Sequence, residues 1–362
     1  MKQYLTNRQI SLLLFAVIVG YEIVNLPKNI VESAGTGGWI TLIINTLFFM
    51  FMAYVITYIQ YNNENKILYE YTRDLYGKYI STIITTLYIL YFMLIVSLIL
   101  RMYSEVLRLV FLNKTPIWAT LFVFYFIAMF AVSKKLHAIG RLAEIYSLIV
   151  IIGYLFIIGI MLTKAKLINV QPFFESSQVK KYLKSTFNLI FPFLGIEAVF
   201  FIPLNKKNNT NIFKHTILTI LGIGILYIII FESVLSIGGI ENIINQKTIV
   251  FQTLRGLDVY KLETLRRLDG LYLMFSTMNL FTSICVFVYG TTNLINEVLP
   301  KIKTKYILLT VTIAQYIISL LPRSVMEVES GIKMTSKLGI ICGIVIPLII
   351  FITMQVKKNE KV

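Results

Sequence analysis

This sequence is poor in charge. Asp, Glu, Lys and Arg together make up 14% of the 362 residues while apolar residues reach 57%, against about 25% and about 45–50% in soluble domains. That balance excludes an ordinary water-soluble domain and reads as a polytopic membrane protein. Acidic residues are the scarcer sign, 18 against 34 basic ones, for a net charge of +16. The basic residues stand in short clusters between apolar runs, so their counter-charge is anionic lipid headgroup rather than nucleic acid. Cysteine is nearly absent: Cys285 and Cys342 both lie inside apolar runs, which leaves no disulfide framework or metal site and makes packing their role. The two histidines, His137 and His215, sit in loops without a serine, cysteine or acidic partner at a catalytic spacing. No enzyme, metal or cofactor reading arises from them. Gly35-Thr-Gly-Gly38 lacks the Lys-Ser/Thr ending of a phosphate loop and reads as a turn. No low-complexity stretch, soluble domain or long linker interrupts the chain, so any soluble activity has to come from a partner. The first apolar run has no small-residue cleavage site after it, and the mature protein is expected to begin near Met1.

What is present is a series of apolar runs. With about 20 residues needed to cross a bilayer, the chain divides into ten spans, at about 9–33, 38–60, 80–111, 116–133, 140–163, 183–204, 212–237, 268–297, 305–322 and 335–356. The expected fold class is thus all-α and polytopic, one integral membrane domain made of two five-span repeats, 1–170 and 171–362. An even number of spans puts both termini on one side, and every segment on that side is basic, from Lys2/Arg8 through Lys134/Lys135/Arg141 to Lys357/Lys358/Lys361. The opposite side mixes in Glu175, Glu241, Asp258 and Glu263, so the termini are read as cytoplasmic. Segment 238–267 is too short and too charged to span and is expected to lie along the outer interface.

Two spans are built to break. Phe191-Pro-Phe-Leu-Gly-Ile-Glu-Ala-Val-Phe-Phe-Ile-Pro203 carries two prolines, a glycine and a carboxylate in an apolar stretch. Gly20-Tyr-Glu-Ile-Val-Asn-Leu-Pro27 repeats Gly-x-Glu followed by proline, 175 residues earlier. Proline removes a backbone donor and clashes with the preceding turn, so the freed amides and carbonyls need other partners. Paired interruptions at corresponding places in two halves point to a transporter-type site between inverted repeats. Glu22 and Glu197 each come out roughly 18–21 Å deep at 1.5 Å per residue. A charged side chain there costs about 2.5–3.5 kcal/mol on insertion scales and should face a cavity, a partner or a ligand, or be protonated. For Glu22 a packing network with Tyr21 and Asn25 is an equal alternative. A half-helix N-terminus favours a carboxylate, while unwound carbonyls and acidic side chains suit an ammonium group, and those are the two ends of an amino acid. The candidate ligand-binding residues are Gly20, Glu22, Asn25, Gly195, Glu197 and Phe200, with the glycines admitting a ligand to the backbone and phenylalanines lining it.

Two further polar groups lie inside spans. Arg101, Glu105 and Arg108 share one face of the third span, so Arg101 and Glu105 can pair within the membrane. We read them first as snorkelling toward headgroups from the outer third of a long span, and Glu232 likewise. Ser276, Thr277 and Asn279 in the eighth span offer oxygens for a cation site, but helix-to-helix hydrogen bonding is the first reading.

These residues resemble a known family. The opening Leu5-Thr-Asn-Arg-Gln-Ile10, the Gly20 to Pro27 break, Gly37-Gly38-Trp39 at the start of the second span, Pro192-Phe-Leu-Gly-Ile-Glu197 to Pro203, and Arg266-Arg-Leu-Asp269 before the eighth span are similar to the spore germination permeases, the B subunits of Ger-type nutrient receptors of endospore-forming bacteria. The resemblance runs nearly end to end. It implies the amino acid/polyamine/organocation superfamily and its LeuT-type five-plus-five fold, with spans one and six broken. It also implies recognition of a nutrient, usually an amino acid, in the spore inner membrane beside a larger A subunit and a lipoprotein C subunit. Two readings stand: a nutrient-sensing subunit with its ligand between the broken spans, and an amino acid symporter coupled to H+ or Na+. A scaffold without a ligand is a third, disfavoured by the buried carboxylates.

Overall fold

The structure is a computed structural model describing residues 4–20, 26–246, 249–256 and 268–359. The described residues form helices joined by turns: α1 (Asn7–Val19), α2 (Leu26–Ala34), α3 (Gly38–Asn62), α4 (Leu68–Val110), α5 (Ile117–Ser133), α6 (Lys135–Leu162), α7 (Val179–Asn188), α8 (Ile212–Asn245), α9 (Ile249–Arg255), α10 (Leu268–Val298), α11 (Thr304–Leu320), α12 (Val325–Ile340) and α13 (Ile346–Asn359). Local signals set several boundaries. Thr6 and Gln9 form a reciprocal capping box at the start of α1, side chain to backbone in both directions. Ser324 caps α12 through the Glu327 amide. Pro116 precedes α5 in extended backbone.

Six helical stretches among the described residues are long and apolar enough to cross a membrane, and a seventh arises if 176–188 and 191–201, which meet at 50°, are taken as one bent span. Asn7–Val19, Ile117–Ser133 and Thr304–Leu320 are apolar but shorter. The physical reason is length: 17 residues of helix rise about 25 Å, less than a hydrocarbon core of about 30 Å. Two of the sequence boundaries move. The helix of the third span starts at Leu68 and turns at Gly77, whose φ of +83° suits glycine, and the helix leading into the last span starts at Val325. The outer segment is helical through Asn245, beyond a turn at Gly239, and again over Ile249–Arg255; 257–267 lie outside the described residues.

The outer surface is apolar, with Leu47, Phe122, Phe130, Ile152 and Ile352 exposed, while Asn45, Gln60, Glu197, Asn279 and Gln315 are fully buried. That distribution is the reverse of a water-soluble domain and fits a lipid solvent. At the centre α10 packs on α1, α4, α5, α6 and α11, and α8 packs on α1, α2 and α3.

Candidate ligand site at two interrupted helices

Pro192 and Gly195 stop the helix as the composition predicts. After α7 the chain makes a tight turn over Phe191–Phe193, runs extended at Leu194, passes Gly195 at φ +120°, and makes a second turn over Ile196–Phe201. No residue with a Cβ adopts that φ without strain. The backbone groups released here find side-chain partners on neighbouring helices. Asn45 Nδ2 donates to the carbonyls of Thr186 (3.2 Å) and Leu189 (2.9 Å). The Tyr227 hydroxyl lies 3.0 Å from the Pro192 carbonyl and 3.1 Å from that of Ile18, so one group ties the two interruptions together. Gln60 Nε2 donates to the carbonyls of Ile202 (3.0 Å) and Lys66 (2.7 Å). Each contact satisfies a group that would otherwise cost a buried, unmade hydrogen bond.

The two interruptions touch. A Cβ on Gly195 would stand 2.8 Å from Val17 Cγ1 and 3.6 Å from the Ile18 amide nitrogen. Gly20 is helical (φ −45°, ψ −50°) and serves close approach: a Cβ there would collide with the Ser283 hydroxyl of α10, which donates to the Ala16 carbonyl at 2.6 Å. Glu22 and Asn25 lie outside the described residues.

Glu197 is completely buried. Its Oε2 accepts the Gly195 N–H at 2.8 Å, while Oε1 has no hydrogen bond of good geometry, although the Tyr91 hydroxyl is its neighbour. The carboxyl group rests against helix backbone, since a Cβ on Gly343 would stand 3.2 Å from Oε2. Pro347 accounts for that backbone. It has no N–H to give the Gly343 carbonyl and its ring crowds the preceding turn, and residues Ile341–Val345 widen into a π turn in which the Ile346 N–H bonds to Ile341. The Cys342 carbonyl thereby loses its helical donor and accepts the Tyr88 hydroxyl instead.

Phe200 belongs to a ring cluster, with Tyr71 at 6.3 Å and Tyr88 edge-on at 6.0 Å between centroids. Ser276 and Thr277 pair with tyrosines, Ser276 with Tyr154 (3.3 Å) and Thr277 with Tyr103 (2.6 Å). Asn279 is buried with neither amide atom bonded. Arg101 and Glu105 do not snorkel: their side chains are 8% and 6% exposed and pair at 2.8 Å, with Arg108 3.0 Å from the other carboxylate oxygen. Arg101 also donates to the Pro322 carbonyl just beyond α11, so packing against α11 replaces the headgroups. Glu232 is half-buried in α8, and Cys285 and Cys342 are buried and unbridged. Sequence reasoning overlooked Tyr88, Tyr91, Asn45, Gln60 and Tyr227. Only Pro347, a proline inside an apolar run, could have marked the π turn.

The fold is that of an all-helical membrane protein and is similar to that of a solved transporter. A solved Na+-coupled sialic acid symporter, in a substrate-bound outward-open state, matches with a TM-score of 0.68 over 93% of this chain and 77% of that one, at 12% identity; the likeness is one of fold. A family model described as spore germination protein matches residues 4–328, and the chain belongs to that spore germination permease family. Among its relatives in Bacillus subtilis (strain 168), spore germination protein A2 is 26% identical over 300 residues, 82% of this chain and 81% of the relative. Spore germination protein YndE is 22% identical over 326 residues, 88% of each. Spore germination protein B2 is 21% identical over 250 residues, 69% of this chain and 67% of the relative. The family is of permease type and not an enzyme class.

Proposed function

We propose that the chain is the nutrient-sensing membrane subunit of a spore germinant receptor, binding a small amine-bearing nutrient, an amino acid above all, between its two interrupted helices. The observation that carries this is Glu197: one carboxyl oxygen is engaged by the Gly195 amide, and the other is buried beside the Tyr91 hydroxyl without a hydrogen bond of good geometry. An ammonium group is the complement of such an oxygen, and ligand contacts would fall to Gly20, Glu22, Asn25, Gly195, Glu197 and Phe200. Ten spans with the first and sixth broken fit the contacts, because four of the five element pairs five spans apart touch: α1 with the turn Ile196–Phe201, α3 with α8, α4 with α10, and α5 with α11. Those contacts support a reading as two inverted repeats, 1–170 and 171–362. Both termini are cytoplasmic in this reading, the membrane is the spore inner membrane, and the larger A and lipoprotein C subunits are the partners that carry the signal. A cavity of about 20 Å³ beside Val17, Val96, Ser283 and Phe287 has room for about one water. A nutrient entering there must separate α1, α4 and α10, and a ligand that binds one arrangement better than another shifts the population.

Asn279 favours a second reading, H+- or Na+-coupled symport. Its unbonded amide oxygen, one turn from Ser283 and close to Ser276 and Thr277, is a donor for a cation. The experiment separates the two: purified protein in liposomes accumulates none of a panel of labelled amino acids under an imposed proton or sodium gradient, while spores lacking the chain lose germination to at least one nutrient. Gradient-driven uptake with unchanged germination of the deletion strain would establish the symporter instead.

A further inference from the structure

An apolar cavity of about 280 Å³ lies between α1, α6 and α8, lined by Leu12, Phe15, Leu155, Leu218 and Leu226 among others and by no residue of the interrupted segment 191–203. Leu155, Leu218 and Ile225 on its walls are exposed, so it opens on the lipid side. From Leu218 to Ile229 it follows α8 for about three turns, roughly 16 Å, close to half of a hydrocarbon core of about 30 Å. Spread over that length, 280 Å³ is a slot one chain wide, much narrower than a helix of about 10–12 Å diameter. Gly222 keeps it open: nothing lies within 4 Å of where its Cβ would be.

The polar groups of the groove gather at one end. Ser11 lines it and its hydroxyl stands 3.5 Å from His215 Nδ1. Lys214 and His215 precede Leu218 and Thr219 by one helical turn on the groove face, and Lys214 is exposed with no ion pair among the described residues. Glu144 nearby is neutralised by Arg8 at 3.2 Å and accepts a hydrogen bond from Gln9 Nε2 at 3.2 Å. The mouth is therefore cationic, at headgroup level, above a slot that matches one leaflet.

We infer that this groove is a binding site for one anionic phospholipid, with an acyl chain along Leu218 to Ile229 and the phosphate at Lys214, His215 and Ser11. The site has a consequence for α1. Leu12 and Phe15 face the groove while Val17 and Ile18 meet Gly195, so a chain in the groove braces α1 against the interrupted segment.

The test uses full-length protein extracted in mild detergent from membranes of phosphatidylethanolamine and phosphatidylglycerol, and reads retained lipid by native mass spectrometry. One phosphatidylglycerol should remain on the wild type. Gly222→Phe, whose ring fills the slot, should retain at least about tenfold less, because each excluded methylene weakens binding severalfold. Ile352→Phe, on the exposed face of α13 away from the groove helices, should retain as much as the wild type. Lys214→Glu, on an exposed side chain, should lose the preference for phosphatidylglycerol over phosphatidylethanolamine, and decides the matter if Gly222→Phe does not fold. No retained lipid on the wild type, equal retention in Gly222→Phe, or an unchanged headgroup preference in Lys214→Glu would overturn the site. Chain-to-chain crosslinking through Thr219→Cys would also overturn it, since a second copy would then fill the groove.

Discussion

Glu197 accepts a hydrogen bond from the Gly195 amide two residues earlier, at 2.8 Å, so the carboxyl group proposed to meet the nutrient also closes the backbone interruption from which it projects. In the proposed reading, function and local fold share a side chain. The glycine and the carboxylate should respond differently to substitution, because only one of them carries the positive φ.

Gly195→Ala should destabilise the protein by about 1–3 kcal/mol from the φ of +120°, plus the collision with Val17. Adding Val17→Ala should recover the steric part and leave the backbone part. Thermal unfolding in detergent measures both, and a fully stable Gly195→Ala protein would contradict the geometry.

Tyr88 and Pro347 form one device, since the proline frees the Cys342 carbonyl that the tyrosine takes. Tyr88→Phe should cost about 1–3 kcal/mol as a buried carbonyl loses its donor. In a Pro347→Ala background a regular helix can return that carbonyl to the Ile346 amide, and Tyr88→Phe should then cost much less. Additive effects in this double-mutant cycle would separate the two residues.

Glu105 is buried between Arg101 and Arg108 and should act on stability, not on nutrient choice. Glu105→Gln leaves Arg101 buried without its partner, a loss of about 3–5 kcal/mol, whereas Arg101→Met with Glu105→Leu should regain most of it. Normal unfolding of Glu105→Gln together with an altered nutrient response would move the site to this part of α4.

Much of the interrupted segment was legible because its cause is local: Pro192, Gly195 and Pro203 cannot continue a helix, and a carboxylate in an apolar run needs a reason. Its partners were not legible. Asn45, Gln60 and Tyr227 lie 144, 142 and 35 residues from the carbonyls of Leu189, Ile202 and Pro192 that they satisfy, and nothing in their own neighbourhoods marks them. Arg101 was misjudged for the same reason, because depth along a helix is readable from sequence and the helix packed against it is not. The helices Ile117–Ser133 and Thr304–Leu320 lie almost where the apolar runs 116–133 and 305–322 were read, because polar and charged residues such as Lys114, Lys134, Lys303 and Arg323 bound both runs.

Orientation can be read by labelling in a background lacking Cys285 and Cys342. A cysteine at Asn208 should react only from the cytoplasmic side and one at Asn242 only from outside, both positions being exposed. The reverse pattern would invert the topology.

The most direct measurement is the nutrient dose response of spores carrying Glu197→Gln, with the amount of chain in the inner membrane determined in parallel. Glutamine keeps the shape and can still accept the Gly195 amide, but it offers no carboxylate to an ammonium group. The account predicts a lost response, or one displaced to at least about tenfold higher nutrient, at near-normal protein level. A response at wild-type concentrations would contradict a ligand site at Glu197.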